Sequence, residues 1–276
     1  MNAPRLCLVH FQQAAEAGEL FLMYQPKLNL RSGQVDGVEA LARWQHPRKG
    51  ALEPAKFVRA AELCGAIDWF TQWVVTTATR QWAEWRAHGL ELDLAVNISA
   101  LNLRDVAFPD LVDGLCEAAG MPRHRLTLEL TESATQKPVR LMDTVARLRL
   151  KGMGVSLDDF GTGYGSMLQL RKLPFTELKI DRSFVADLLT SRDSRAITRA
   201  LIGLAHELGL SVTAEGVEDE AILGALRAFG CDRAQGFLIA APMPAERLTL
   251  WLARNQARDV PTDQEDWCQV PIRVRT

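Results

Sequence analysis

From residue 92 onward, short apolar stretches alternate with longer amphipathic ones, and this alternation constrains the fold more than any other feature of the chain. The segments 92–97, 126–131, 153–158, 177–181 and 211–215 read as buried strands, with a weaker one at 234–238. Helical periodicity fills the gaps at 108–119, 139–151, 166–172, 194–208 and 218–229, and a last helix follows Pro244. Strand–helix–strand order of this kind yields parallel strands, each returning through a helix. Upstream, a short helix at 6–17 ends at Gly18, and strands at 20–25 and about 35–43 flank the turn signal Arg31-Ser32-Gly33. A link that short cannot hold a parallel crossover, so these two strands run antiparallel. Helices at 54–64 and 68–88 follow; in the second, Trp69, Trp73, Ala78, Trp82 and Trp85 form a packing stripe. Counting the first pair gives roughly eight strands, hence an α/β fold of the TIM-like (β/α)8 barrel class with an antiparallel first strand. An open doubly wound sheet is the weaker option, because no Gly-x-Gly-x-x-Gly opens a helix after a strand. The barrel is expected over residues 1–254, with 255–276 as a loosely ordered C-terminal tail.

At 276 residues, 47% hydrophobic and 24% charged, the chain fits one large domain. A net charge of −2 leaves no general basic surface, so no duplex nucleic acid is expected and any phosphate partner must be recognised locally. No apolar run is long enough for a bilayer and the N-terminus lacks a signal-length apolar core, so no membrane insertion and a cytoplasmic location are expected. Cys7, Cys64, Cys116, Cys231 and Cys268 are odd in number, scattered and without a Cys-x-x-Cys. Neither a disulfide framework nor a zinc knuckle is expected, and a reducing compartment fits.

In such barrels the chemistry sits at the carboxyl ends of the strands. Here those ends carry Glu39 and Arg43, then Asn97, Glu129, Asp158 with Asp159, Lys179, Glu215 and Gln235. One charged strand end is usually a solvated turn; consecutive strands each delivering a polar group describe a site. The groups are rich in oxygen, with no histidine or cysteine among them, which selects Mg²⁺ or Mn²⁺ over zinc. Asp158 and Asp159 end an apolar run and meet the glycine-rich turn Gly161-Thr162-Gly163. Neighbouring carboxylates repel each other there, and bound cations remove that difficulty. Two cations about 3.5–4 Å apart, sharing one carboxylate, suit an in-line phosphoryl displacement. Lys179 would position the attacking water or help remove its proton, and Arg43 would hold a phosphate oxygen. Other polar residues have plainer readings. His46 makes a structural hydrogen bond. Glu132 either supports the glycine-rich loop or starts a helix. Asp181 either bonds within the site or caps the helix that Ser183 begins.

These blocks resemble the EAL-domain family of cyclic-di-GMP phosphodiesterases. Glu39-Ala40-Leu41 is the signature tripeptide, inside Glu-x-Leu-x-Arg ending at Arg43. The likeness runs through Tyr24-Gln25-Pro26, Asn97-Ile98-Ser99, Leu128 to Ser133 and Asp158 to Tyr164. It continues through Lys179-Ile180-Asp181, Ala214-Glu215-Gly216-Val217-Glu218 and Gln235-Gly236-Phe237. The tripeptide alone means nothing; the ordered set is specific. The resemblance implies a barrel with an antiparallel first strand and two Mg²⁺ or Mn²⁺ ions. Glu39, Asn97, Glu129 and Asp158 would hold one ion; Asp158, Asp159 and Glu215 the other, with Gln235 near it. Lys179 would assist the nucleophilic water, Gln25, Leu41, Arg43 and Asp181 would contact substrate, and Glu132 would support the loop. The implied reaction is hydrolysis of cyclic di-GMP to linear 5′-pGpG. The implied partners are a second copy of the chain, as a homodimer, and a regulatory partner or sensor domain. The loop reads Gly161-Thr162-Gly163-Tyr164-Gly165-Ser166-Met167 where the family usually has Ser-Ser-Leu after the tyrosine, so Gly165 removes a hydroxyl. The competing readings are a non-catalytic cyclic-di-GMP receptor that signals through a protein partner, and an aldolase with Lys179 as its Schiff-base amine. The intact acid, amide and lysine set favours the enzyme over the receptor. The carboxylates around Lys179 oppose the neutral amine an aldolase needs.

Overall fold

The computed structural model describes residues 3–131, 141–161 and 167–256. Nine strands form one sheet in the order β1-β9-β8-β7-β6-β5-β4-β2-β3, and a further β1–β2 pairing closes it. They are β1 (Leu20–Asn29), β2 (Val35–His46), β3 (Gly50–Leu52), β4 (Asp93–Asn97), β5 (Leu126–Thr131), β6 (Gly154–Phe160), β7 (Glu177–Ile180), β8 (Ser211–Ala214) and β9 (Arg233–Ala234). β3 hangs on the outer edge of β2, so the barrel wall is the other eight. β1 runs antiparallel to both of its neighbours, β2 and β9, while the wall from β2 through β4 to β9 is parallel. The expected fold class and antiparallel first strand are therefore observed, and the open sheet is excluded by closure.

β2 runs past Arg43 to His46, where it pairs with β3, and two other strands outrun their expected ends for identifiable reasons. β1 continues through Pro26, which ordinarily interrupts a ladder. The Tyr24 amide donates to the Met243 carbonyl at 2.7 Å, on the side away from β2. Pro26, two residues on, points its nitrogen to the same side, and β9 does not meet β1 until Leu28. No ladder bond is lost. β6 runs past Asp158 to Phe160 because its register with β7 shifts between Leu157 and Phe160. Asp159 sits in that irregularity at φ 56°, a left-handed backbone uncommon for a residue with a side chain.

Around the wall lie α1 (Ala3–Glu16), α2 (Pro54–Cys64), α3 (Ile67–Ala87), α4 (Phe108–Ala118), α5 (Leu141–Leu150), α6 (Met167–Lys172), α7 (Arg182–Ala186), α8 (Arg192–Glu207), α9 (Glu220–Ala228) and α10 (Ala245–Gln256). The tryptophan stripe of α3 is packing, as expected: Trp82 and Trp85 are buried, and the Trp82 indole N–H donates to the Leu92 carbonyl at 2.7 Å. Of the tail expected at 255–276, residues 255 and 256 close α10, and the rest, Cys268 included, lies outside the described residues. No described helix is long and apolar enough to cross a membrane.

The cysteine reading needs correction. Cys7 on α1 is disulfide-bonded to Cys64 at the end of α2, while Cys116 and Cys231 are buried free thiols. Their separation of 57 residues hid the pair; the packing of α1 beside α2 brings their Cα atoms to 6.2 Å. The cysteines therefore give no support to a reducing compartment.

Candidate active site

Strand alternation sends every second side chain into the barrel, and the inward rows carry the polar residues noted above. On β2 these are Glu39, Leu41 and Arg43; on β1 they are Gln25 and Lys27; on β7 they are Glu177 and Lys179. The rows meet at Lys179, which is 1% exposed. Its Nζ lies 2.6 Å from Glu215, 2.8 Å from Glu129, 3.3 Å from Asp158 and 3.5 Å from Glu39. The amides tie the edge of this cluster together. Asn97 Nδ2 donates to Glu39 Oε1 at 2.6 Å, and Gln235 Nε2 donates to Glu39 Oε2 at 2.7 Å and to Gln25 Oε1 at 3.0 Å. Gln25 in turn donates to the Ala240 carbonyl at 3.1 Å. Gly236 follows Gln235 where any Cβ would strike the backbone of Val217, so only glycine lets that loop close on the site.

The electrostatics follow from burial. Glu129 is buried, which alone would raise its pKa, but Lys179 and Lys27 outweigh that and hold it down near 2. Glu39 and Asp158 are pushed up by burial and by neighbouring carboxylates. Burial likewise pushes Glu215 up to about 8, although Lys179 opposes the shift. Asp159 is raised by burial and by Asp181. Burial works against the Lys179 ammonium, yet Glu129, Glu215, Glu39 and Asp158 hold it well above the ordinary lysine range. A Schiff-base role needs the neutral amine, so the aldolase reading fails on this environment.

Several observations fit this pocket to hard cations. Carboxylate oxygens of Asp158, Asp159 and Glu215 all lie within 4.8 Å of one another. Strict alternation would have sent the two aspartates to opposite faces; the irregularity at Asp159 turns both toward Glu215. The buried Gln235 Oε1 has no hydrogen-bond partner among the described residues, leaving one neutral oxygen donor beside the acids. The donor set is all oxygen, as Mg²⁺ and Mn²⁺ prefer. An acidic cluster suited to metal is thus present.

Above the carboxylates opens a cavity of about 280 Å³, lined by Gln25, Glu39, Leu41, Asp158, Glu215 and Gln235. Its rim adds the exposed Arg182, Glu218 and Phe237. Arg43 stands farther along the inward row of β2, half-buried, with Nη1 donating to the Ala42 carbonyl at 2.9 Å. Asp181 caps α7, its carboxylate accepting from the Ser183 amide at 2.9 Å. His46 Nδ1 accepts from the Arg48 amide at 3.1 Å, the structural role expected of it. Glu132 and the Gly165 position lie outside the described residues.

Sequence reasoning missed Lys27, Glu177 and Arg182. The first two were within reach: Lys27 follows Gln25 by two residues, and Glu177 precedes Lys179 by two, so alternation puts each on an inward row. Arg182 had no such signal, because it stands on the first turn of a helix whose placement over the cavity depends on the loop after β7.

The EAL domain model matches residues 9–242. A cyclic di-GMP phosphodiesterase of Pseudomonas aeruginosa is 42% identical over 249 residues, covering 90% of this chain and 42% of that protein. The bifunctional diguanylate cyclase/cyclic di-GMP phosphodiesterase MucR of the same organism is 41% identical over 254 residues, covering 90% of this chain and 37% of the relative. The chain thus spans less than half the length of these curated relatives. Among solved structures, the MucR phosphodiesterase in complex with c-di-GMP superposes with a TM-score of 0.81 at 41% identity, covering 87% of this chain and 99% of that one. With the barrel, the acidic cluster and the ordered motifs in agreement, this chain belongs to the EAL domain family.

Proposed function

We propose that this chain is a metal-dependent phosphodiesterase that hydrolyses one phosphodiester of cyclic di-GMP, giving linear 5′-pGpG. The convergence of Glu39, Glu129, Asp158 and Glu215 on Lys179, at the floor of a cavity open to solvent, carries this reading. Glu39, Asn97, Glu129 and Asp158 would hold one ion; Asp158, Asp159 and Glu215 would hold a second, with Gln235 beside it. Two Mg²⁺ or Mn²⁺ ions held there would supply Lewis-acid stabilisation of the phosphate and a more acidic water. Lys179 then directs its Nζ–H bonds at the attacking water and fixes its approach. Gln25 and Leu41 line the cavity and would hold the substrate, together with Arg43 farther along β2 and Asp181 at the start of α7. Phe237 at the rim is 67% exposed, a free aromatic face of the kind on which a base stacks.

The test is turnover of purified protein on cyclic di-GMP with Mg²⁺, with Mn²⁺, with Ca²⁺ and with chelator, products being resolved by chromatography. Linear pGpG should appear with Mg²⁺ or Mn²⁺, disappear with chelator, and form only slowly with Ca²⁺, which is larger and less strict in geometry. Binding without turnover under every metal would favour the receptor reading instead. A homodimer, a regulatory partner or sensor domain, and a cytoplasmic site of action where nucleotides are held complete the proposal. Sedimentation that shows a monomer at every concentration would remove the dimer from it.

A further inference from the structure

We propose that Lys27 is a positioning residue for metal binding: from beneath the carboxylate cluster, it holds one oxygen of Glu129 so that the other stays aimed at the site. This rests on the metal-site reading given above. Lys27 is 3% exposed and its Nζ lies 2.7 Å from Glu129 Oε1. Lys179 takes the other oxygen, Oε2, at 2.8 Å. The two lysines differ in what else they touch. Lys179 is shared with Glu39, Asp158 and Glu215. Within 4.0 Å Lys27 has one further carboxylate among the described residues, Glu177 Oε2 at 4.0 Å, and Glu177 Oε1 accepts a bond from Thr213 at 2.5 Å. Lys27 is not part of the cavity lining.

The consequence concerns how Glu129 behaves when a cation arrives. If Lys179 were its one cationic partner, each entering ion would have to take Glu129 from Lys179, and the carboxylate would be free to rotate as that bond broke. Lys27 removes this problem by pinning Oε1 independently. The charged carboxylate then keeps its orientation while Lys179 shifts toward the water it serves. Groups that orient a metal ligand from behind commonly change metal affinity by about 10–100-fold when removed.

The experiment compares Mn²⁺ binding by calorimetry on metal-free native protein, Lys27→Met and Lys27→Arg. The expected result is a Kd weaker by about 10–100-fold in Lys27→Met, largely restored in Lys27→Arg. At saturating Mn²⁺ the KM for cyclic di-GMP should stay at the native value. Should Lys27→Met not fold with Glu177 left uncompensated, Lys27→Met/Glu177→Gln is measured against Glu177→Gln alone. A native Mn²⁺ Kd in Lys27→Met would overturn the assignment, and so would a raised KM with metal affinity unchanged. Failure of the native protein to take up Mn²⁺ at all would instead sink the metal-site reading, and the role of Lys27 with it.

Discussion

Asp158→Ala is expected to abolish turnover at every Mg²⁺ and Mn²⁺ concentration. Asp158 is the one residue assigned to both proposed ion positions: it lies 3.3 Å from Lys179 and shares the oxygen cluster with Asp159 and Glu215. Losing it removes a donor from both proposed ion positions at once. Metal stabilisation of a phosphoryl displacement is worth several kcal/mol, and each 1.4 kcal/mol is about tenfold in rate, so a loss on the order of 10³-fold or more follows. Titrating metal against rate makes the check: recovery at high metal would mean that Asp158 sits outside the ligand set. Misfolding is separable, because the metal-free variant should melt no lower than the native chain. Burial and neighbouring acids already disfavour the Asp158 carboxylate in the metal-free protein, so its removal relieves repulsion.

Lys179→Ala should lower kcat by about 10²–10⁴-fold at saturating metal, the range for a group that orients or exchanges protons with the reacting water, with a much smaller change in KM. Lys179 is buried under the carboxylates and does not line the cavity, so it has little surface to offer a bound substrate. A pure rise in KM would reassign it to substrate binding. The same variant leaves Glu39, Glu129, Asp158 and Glu215 without their common cation. Breaking a buried ion pair from one side costs about 3–5 kcal/mol. The metal-free variant should therefore melt well below the native chain, and saturating Mn²⁺ should close most of that gap by resupplying positive charge. A melting deficit unchanged by Mn²⁺ would indicate that the cations do not neutralise these carboxylates.

Strand and helix order, the antiparallel opening and the identity of the inward polar residues were all legible in the sequence, because each depends on local periodicity or on the length of a link. Glu39, Asn97, Glu129, Asp158, Lys179, Glu215 and Gln235 could be collected from strand ends once a barrel was inferred. Asp181 shows the limit of that approach: a cap and a site residue look alike in sequence, and here the same side chain caps α7 and stands near enough to Asp159 to raise its pKa. Lys27 and Glu177 were readable by the same alternation and were passed over because Lys27 lies just past the Tyr24-Gln25-Pro26 block and the expected end of its strand, while Glu177 opens its strand rather than ending it.

Other features depend on contacts between residues far apart in the chain. The Cys7–Cys64 pairing requires α1 and α2 to pack side by side. The joint orientation of Asp158 and Asp159 requires a shift in register against β7, which no pattern within β6 reveals. The partition of Glu129 between Lys27 and Lys179 requires β1, β5 and β7 to converge on the barrel axis. Sequence alone established which groups point inward, since a pleated strand alternates faces whatever its neighbours are. Which of those groups touch, and therefore which charges stand close enough to shift one another, was left to the closure of the barrel, because electrostatic coupling depends on distances across the fold and not along the chain.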